Sequence, residues 1–206
     1  MKKMNSKGFT LIELLAVITI MGILMMVAIP AVSRTIENSR RDTFANLASE
    51  YMNAIRNGVL ADEIECNQSE DKFVVASATP NGTYYFPICT NDSTATCAAV
   101  SLKKSGSTLT ASQIKTSTED LLESGGKSSW GNADVQGYVT WTKEDVNTSD
   151  GGKKTKYTYK VLLLDTGNHG IDAEKASGEL KRSNILTNSA TAHTNTKASA
   201  TVCKVS

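Results

Sequence analysis

The sequence predicts an α+β protein in which one long N-terminal helix packs on an antiparallel β-sheet. Two observations support this prediction. The residues from Phe9 to Val32 are almost uniformly apolar, and a helical period of apolar side chains continues beyond them to about Leu60. The rest of the chain is rich in Ser, Thr, Asn, Gly and Lys, and it contains short runs of β-branched and aromatic residues bounded by turn residues.

The segment 9–32 is long enough to cross a membrane. A helix of its length rises about 36 Å, and a hydrocarbon core is about 30 Å thick. Lys2, Lys3 and Lys7 precede it, which predicts a cytoplasmic N-terminus and a body outside the cytoplasm. The apolar run is longer than that of a secretory signal, and no small-residue cleavage site closes it. We therefore expect a membrane helix.

Glu13 is the one charged residue of the segment 9–32. An ionised carboxylate near the middle of a lone membrane helix costs about 2.5 to 3.5 kcal/mol, and no Lys or Arg of the segment can pair with it. A cut between Gly8 and Phe9 would create a free α-amine that the carboxylate of a neighbouring copy can reach. We therefore predict that Glu13 is an assembly residue, neutralised by a second subunit.

The run KGFTLIELLAVITIMGILMMVAIPA resembles the signal and N-terminal helix of type IV pilins and their pseudopilin relatives. By position, the resemblance implies that residues 1–8 are a leader removed by a prepilin peptidase after Gly8. It further implies that Phe9 becomes the new N-terminus and is methylated on its amine, and that Glu13 serves subunit docking.

Two residues of the run match the helix-loosening positions of that family, Gly22 and Pro30. Proline has no amide hydrogen and clashes with the carbonyl group four residues earlier, so a kink or a melted turn is expected near Met26.

The resemblance implies a structural protein and not an enzyme: a subunit that polymerises with copies of itself into a type IV pilus. Before assembly it is a single-pass membrane protein with its N-terminus in the cytoplasm, and afterwards it is part of a cell-surface filament. The implied partners are a prepilin peptidase, an inner-membrane platform protein and a cytoplasmic assembly ATPase. Adhesion, twitching motility and surface colonisation are functions of the family.

Several alternatives to a major pilin remain open on the sequence. A pseudopilin of a type II secretion or competence system has the same N-terminus, and so has a minor pilin. An enzyme or receptor on a plain signal anchor would keep an uncut N-terminus and would be indifferent to Glu13. The short leader and the composition of the body are most similar to pilins of Gram-positive anaerobes.

The segment 33–60 is predicted to be the amphipathic half of the same helix, packed on a globular body formed by residues 61–206. Gly58 is the expected stop signal, although the helix can extend by a turn. One face of this half is apolar; its members are Ile36, Phe44, Leu47, Tyr51 and Ile55.

Four strands are predicted in the body, at 73–76, 83–86, 136–142 and 156–164. The last two flank the run KEDVNTSDGGKKT, which predicts an antiparallel hairpin with a long loop. The tail is expected to form an edge strand or surface coil. The large aromatic residues of the body are expected to pack in the sheet; they are Trp130, Trp141, Tyr157 and Tyr159.

A short helix is predicted within TLTASQIKTSTEDLLESGG, between the two pairs of strands. Thr116 or Ser117 would be its N-cap, and Gly125 its stop signal.

The four cysteines are Cys66, Cys89, Cys97 and Cys203. In a body outside the cytoplasm, one or two disulfides are expected, with three full connectivities. Cys89 and Cys97 are near enough in sequence to close a local loop, and Cys203 would tie down the C-terminus. Small buried thiols are the alternative.

Neither a catalytic motif nor a cofactor motif occurs, so no enzymatic activity and no cofactor are expected. The run LDTGNHGIDAE suggests one weak metal hypothesis, in which Asp165 and Asp172 bind calcium. Its spacing does not match an EF-hand loop. A turn with Gly167 and Gly170 at its bends is the favoured interpretation.

The chain has 22 basic and 21 acidic residues, so its net charge does not indicate a nucleic acid or an acidic membrane as the main partner. The run KKTK at 153–156 is basic enough to touch DNA or another anionic surface. A solvated hairpin end is favoured for it, and DNA binding is left open.

Overall fold

The computed structural model describes residues 9–69, 72–91, 109–122, 126–131, 133–167, 169–171, 180–186 and 201–206. The chain divides into two compact units, Met1–Ser39 and Arg40–Ser206, and each is described by itself. Helix α1, Leu11–Leu60, begins in the first unit and ends in the second. The predicted α+β class is confirmed, with a long apolar N-terminal helix and a sheet.

In the first unit, α1 buries none of its large apolar side chains. The helix contains a window that is long and apolar enough to cross a membrane, and none of that window is buried within the protein. Ile36, which the sequence analysis assigned to the core stripe, is 48% exposed and belongs to this unit, so that assignment is wrong.

In the second unit, α1 supplies one wall of the hydrophobic core, as predicted. Its buried residues recur at three- and four-residue spacing, the period of one helix face. They pack with residues of the sheet in a single cluster. The largest of them are Phe44, Tyr51 and Ile55, each with no exposed surface.

The C-terminus of α1 is closed by a Schellman-type turn and not at Gly58. The amide of Glu63 donates to the carbonyl of Gly58 at 2.9 Å, and Asp62 takes a left-handed conformation with φ of 59°. The Asp62 carboxylate accepts a hydrogen bond from the amide of Ser77, which helps to hold this uncommon conformation. Leu60 is therefore the last helical residue.

The described strands form an eight-stranded sheet in the order β2-β1-β8-β3-β4-β5-β6-β7. All described neighbouring strands are antiparallel except β3 and β8, which are parallel. The prediction of an antiparallel sheet therefore holds for every described pair but this one. The strands are β1 Ile64–Ser69, β2 Lys72–Val75, β3 Gly82–Cys89, β4 Val135–Asn147, β5 Lys153–Asp165, β6 Gly170–Ile171, β7 Ile185–Leu186 and β8 Thr201–Val205.

The two faces of the sheet carry separate clusters because successive side chains of a strand point to opposite faces. On one face, Trp141, Phe86 and Leu163 pack with the buried residues of α1. On the other face, Tyr85 and Leu162 form a smaller cluster with residues of β8 and of helix α2, Ala111–Leu121.

The β4–β5 hairpin is longer and tighter than predicted. The two strands stay paired from Val135↔Asp165 to Asn147↔Lys153, so most of the expected loop is strand. The turn is confined to residues 148–152, where Gly151 has φ of 82°. A loop was predicted here because the region is rich in charged residues. Charged side chains are nevertheless compatible with a strand where the end of a hairpin is exposed.

Helix α2 lies where a helix was predicted, but its cap was assigned wrongly. Thr110 is the N-cap, and it forms a reciprocal capping box with Gln113. Thr116 and Ser117 lie inside the helix. Gly125, the predicted stop, is outside the described residues.

The two ends of the body's chain meet in the sheet, which the sequence analysis did not predict. Strand β1 follows α1 directly, and the C-terminal strand β8 pairs between β1 and β3. The end of the tail is therefore a central strand and not an edge strand or coil.

Trp141, Tyr157 and Tyr159 lie in β4 and β5, as expected. Trp130 does not belong to the sheet: it lies in a turn, 5.6 Å between ring centroids from Phe44.

Candidate functional site

The N-terminus of α1 is organised by a capping box that the sequence analysis did not identify. The amide and the hydroxyl of Thr10 both donate to Oε2 of Glu13, at 2.8 Å and 2.7 Å. In return, the amide of Glu13 lies 3.4 Å from the hydroxyl of Thr10. The signature was present as Thr-x-x-Glu ahead of an apolar run.

This geometry corrects the position assigned to Glu13 within the helix. Since α1 begins at Leu11, Glu13 lies in the first turn and not in the middle of a membrane helix. The free amides and the dipole of a helix N-terminus favour a negative charge there. Oε1 of Glu13 accepts no hydrogen bond from the described residues, so this oxygen remains open.

The residue that precedes this capping box is exposed. The side chain of Phe9 is 87% exposed, and the described chain starts there. Gly8, the predicted last leader residue, lies outside the described residues. The cut between them and the methylation of Phe9 therefore stay predictions.

The two residues predicted to loosen the membrane helix lie within uninterrupted α-helix. Pro30 is inside α1, and the helix continues through Met26, so no melted turn occurs there. A Cβ added at Gly22 would meet no atom within 4 Å, which leaves this position open to close approach by another helix. Their role in loosening the helix stays a prediction.

One disulfide of the body is defined by the structure. Cys66 of β1 and Cys203 of β8 are bonded, and they are directly opposite each other in the ladder. Buried free thiols are therefore wrong for this pair. Cys89 is also disulfide-bonded. Cys97, which the sequence analysis placed in a local loop with it, lies outside the described residues.

The carboxylate of Asp165 is surrounded by hydrogen-bond donors. It accepts hydrogen bonds from the amides of Gly167 and His169, both at 2.8 Å, and from the hydroxyl of Ser128 at 2.7 Å. The His169 ring lies 2.9 Å from its Oδ2. These contacts close the turn between β5 and β6. Gly167 lies in that turn as expected, whereas Gly170, which was expected at a bend, is the first residue of β6.

This setting does not favour calcium at Asp165, because its oxygens already face protein donors. Asp172 lies outside the described residues, and within the described part of the chain no cluster of three or more His, Cys, Asp or Glu residues is suited to a metal ion. The calcium hypothesis stays an untested prediction.

Comparison with known protein families identifies the N-terminal segment. Residues 3–29 match the model of the prokaryotic N-terminal methylation motif. No curated protein and no solved structure matches the chain significantly. The match gives no information about a Gram-positive anaerobe as the source.

The matched segment is a type IV pilin-like prepilin signal, and it contains the Thr10–Glu13 capping box and most of the exposed apolar helix. The motif supports a type IV pilin-like or pseudopilin protein. Its motif is of a structural kind that is not known as enzymatic. The apolar helix and the signal fit a membrane-anchored protein, and the motif implies processing by a prepilin peptidase.

Proposed function

We propose that this chain is the structural subunit of a type IV pilus, cut after Gly8, methylated at Phe9 and polymerised through residues 9–32. The observation that carries the proposal is the coincidence of the methylation motif with an apolar helix whose large side chains are exposed. Such a surface must be covered by lipid before assembly and by other helices after it, because apolar area is unfavourable in water.

Apolar packing alone does not drive the helix out of the membrane. Lipid tails are as apolar as the helix itself, so moving the helix from lipid to a helical bundle gains little hydrophobic free energy. A polar interaction that lipid cannot provide is therefore needed to favour the filament. Glu13 is the group of the described segment that can make one.

The carboxylate of Glu13 divides its two oxygens between two tasks in this proposal. Oε2 caps the helix of its own subunit through Thr10, and Oε1 accepts the α-ammonium of Phe9 from a neighbouring subunit. That ammonium lies at the positive end of its own helix dipole, which disfavours a cation. A neighbour's carboxylate therefore compensates a charge that the amine's own helix destabilises.

The membrane topology follows from charge and redox chemistry. Lys2, Lys3 and Lys7 favour a cytoplasmic N-terminus, so the body lies on the other side of the membrane. The Cys66–Cys203 disulfide supports this orientation, because disulfides persist outside the reducing cytoplasm. The partners proposed for assembly are further copies of the chain, a prepilin peptidase, an inner-membrane platform protein and an assembly ATPase.

Processing is tested by N-terminal sequencing and intact mass of the protein purified from cells that contain a prepilin peptidase. We expect a chain that starts at Phe9 and carries one added methyl group. A chain that starts at Met1, or that is cut after Val32, would contradict the proposal and favour a plain signal anchor or a secretory signal.

Assembly is tested by the yield of sheared filaments from Glu13 variants. Glu13→Gln keeps the size of the side chain but removes its charge, so we expect loss of filaments while the body remains folded. Glu50→Gln, at an exposed position of α1, is the matched control and should assemble normally. Normal filaments from Glu13→Gln would show that the charge is not required.

A pseudopilin has the same N-terminal motif, so filament length separates the two functions. Long filaments built mainly from this chain in the sheared fraction would establish a major pilin. Short assemblies confined to the membrane fraction would establish a pseudopilin, and a low copy number in filaments built from another subunit would establish a minor pilin.

A further inference from the structure

A small acidic cleft lies in the body where the C-terminal ends of α1 and α2 meet. It has a volume of about 320 Å³, and α1 lines it with Ala54, Asn57 and Gly58. Residues at the end of α2, at the start of β1 and in β8 complete the lining. The charged residues of the cleft are Glu63 and Asp120, so its formal charge is negative.

Nothing in the described chain neutralises this cleft. Glu63 and Asp120 are exposed, and neither carboxylate makes a hydrogen bond or an ion pair with another described residue. A cation in the last turn of a helix usually balances the negative end of the helix dipole, but neither α1 nor α2 has a basic residue there. Two helix ends and two carboxylates therefore contribute negative potential to one concave surface.

The lysines of the neighbouring elements are paired with other carboxylates. In α2, Nζ of Lys115 lies 3.7 Å from the carboxylate of Glu119, and in β8, Nζ of Lys204 lies 3.8 Å from that of Glu65. None of these four residues lines the cleft. A cation that occupies the cleft must therefore come from outside these elements.

The cleft also has apolar and hydrogen-bonding groups. Leu121 and Val205 are partly buried in its lining, and Ile64 is buried. The exposed side-chain amide of Asn57 forms no hydrogen bond with the part of the chain that the structure describes. A matching group therefore combines a cation that donates hydrogen bonds with an apolar neighbour.

Helix α1 carries such a combination on a different side. Arg56 is two residues from both Ala54 and Gly58, so it projects about 160° away from each of them around the helix axis. Leu60 follows Arg56 by four residues, on the same side of the helix. Arg56 is exposed, and so is 63% of the Leu60 side chain.

Arg56 has no counterion within its own copy. It forms neither a hydrogen bond nor an ion pair with any residue of the described ranges. Tyr159 lies near it, and burial raises the pKa of Tyr159 to about 12, so this hydroxyl is uncharged at neutral pH. The residues three and four positions away on the helix are uncharged too; they are Met52, Asn53, Val59 and Leu60.

We propose that the acidic cleft of one copy binds Arg56 of a second copy. The guanidinium pairs with the carboxylates of Glu63 and Asp120, for which its planar set of donors is suited. Leu60 packs on the apolar residues of the cleft. The proposal rests on the proposed function and deepens it, because it names a contact between the bodies of two pilus subunits.

The positions of the two groups favour a second copy as the occupant. Every copy has both the cleft and Arg56, at the same level of α1, but on different sides of the helix, so one copy cannot join them within itself. The contact is therefore heterologous: each copy binds one neighbour through its cleft and another through Arg56, and such a contact propagates into an open polymer. A small cation would fill the cleft alone and would leave Leu60 exposed.

Cross-linking of the full chain in liposomes of neutral lipid tests the contact. Arg56→Lys keeps the positive charge and provides an amine that a water-soluble carbodiimide can join to a carboxylate. One amide bond forms, and the carboxylate oxygen leaves in the urea made from the reagent, so no spacer is added and only groups in contact are linked. Copies labelled with heavy nitrogen are mixed with unlabelled copies before the reaction.

We expect linked peptides that combine position 56 of one isotope with Asp120 or Glu63 of the other. The matched control is Lys160 of the same chain. It is exposed, and it alternates along β5 with Tyr159 and Val161, which pack on the side of α1, so it lies on the opposite face of the sheet. Its linkage to the same carboxylates should be at least about tenfold lower.

An exchange of charges tests the pair in filaments. Arg56→Glu brings a further carboxylate to the cleft of the next copy, so the filament yield should fall at least about tenfold. Arg56→Glu/Asp120→Arg restores opposite charges with their positions exchanged, and it should recover most of the yield. Lys160→Glu makes the same change of charge outside the contact and should leave the yield normal.

Three results would overturn the proposal. They are the absence of linked peptides that combine two isotopes at position 56, equal linkage of Lys160 to the same carboxylates, and an exchange variant that yields no more filaments than Arg56→Glu. If the wild-type chain forms no filaments, the proposed function fails, whereas the cross-links in liposomes still decide whether this contact exists.

Discussion

The two halves of helix α1 are both regular α-helix, but they differ in the exposure of their apolar side chains. In the unit that ends at Ser39, the large apolar side chains are exposed, whereas from Phe44 to Val59 most of them lie on one buried stripe. The apolar stripe of the body half is thus buried by other residues of its own unit. The apolar side chains of the N-terminal half can be buried only by lipid or by another molecule. If the chain assembles as proposed, stability of the body and assembly of the filament are separable properties of one helix.

The test with the largest expected effect on stability is removal of the Cys66–Cys203 disulfide. It joins β1 to β8 across 137 residues of chain, and a cross-link of that length stabilises a fold by about 5 kcal/mol in the chain-entropy model. We expect Cys66→Ala/Cys203→Ala to lower the body's unfolding free energy by up to about that amount in urea titrations.

Because reductant also breaks the disulfide of Cys89, the control compares both chains in reductant, where the wild type and the variant should unfold alike. The apolar half of α1 should still partition into membranes, because the disulfide lies wholly in the body. An unchanged unfolding midpoint would mean that the bond contributes little to the body.

The second test compares one apolar truncation on each half of α1. Phe44 has no exposed surface and packs on Trp130, so Phe44→Ala should cost about 4 kcal/mol of unfolding free energy. Leu15 is 53% exposed, so Leu15→Ala should change the same quantity by less than about 0.5 kcal/mol and should instead reduce filament yield.

Tryptophan fluorescence in a urea titration measures both unfolding free energies, and the sheared fraction measures assembly. Equal destabilisation of the body by the two variants would break the proposed separation between the two halves of the helix.

The smallest effect concerns the pH dependence of the body. Burial alone would raise the pKa of Asp134, but hydrogen bonds from Lys127, Asn91 and Thr90 outweigh it and hold this pKa below its ordinary value. The carboxylate therefore stabilises the body above its unfolded pKa of about 3.9, and this contribution is lost as the pH falls through the lower folded pKa.

Because the Asp134 side chain is partly exposed, the contribution is screened in part and should be about 1 kcal/mol or less. Below about pH 4, the unfolding free energy of Asp134→Asn should therefore fall less steeply with decreasing pH than that of the wild type. The control is Asp120→Asn, at an exposed position of α2. If the unfolding free energies of the wild type and Asp134→Asn depend on pH in the same way, Asp134 does not contribute to the loss of stability in acid.

Elements with strong local patterns were predictable from the sequence. The long helix follows from its apolar period, and β3, β4 and β5 follow from their β-branched and aromatic residues. Strand β1, with the sequence IECNQS, was missed because Glu, Asn, Gln and Ser are weak strand formers. Its strand state depends on pairing with β8, a contact between distant parts of the chain that no local pattern encodes.

The N-terminal site was predicted in part. Glu13 was singled out because its charge is anomalous in an apolar run, yet its contact with Thr10 was missed. That contact depends on where the helix begins, and apolar residues on both sides of the start conceal it. A second capping box, with the sequence Thr-x-x-Gln, was missed at Thr110, because the apolar residues near this helix, Leu121 and Leu122, lie at its other end.

The most direct test of the central claim is a filament structure by electron cryomicroscopy that resolves Phe9 and Glu13. The account predicts that the α-nitrogen of Phe9 lies within about 4 Å of the Glu13 carboxylate of an adjacent subunit, with Thr10 still donating to the other oxygen. A Phe9 nitrogen remote from every neighbouring carboxylate, with Glu13 bonded to its own Thr10 alone, would contradict it.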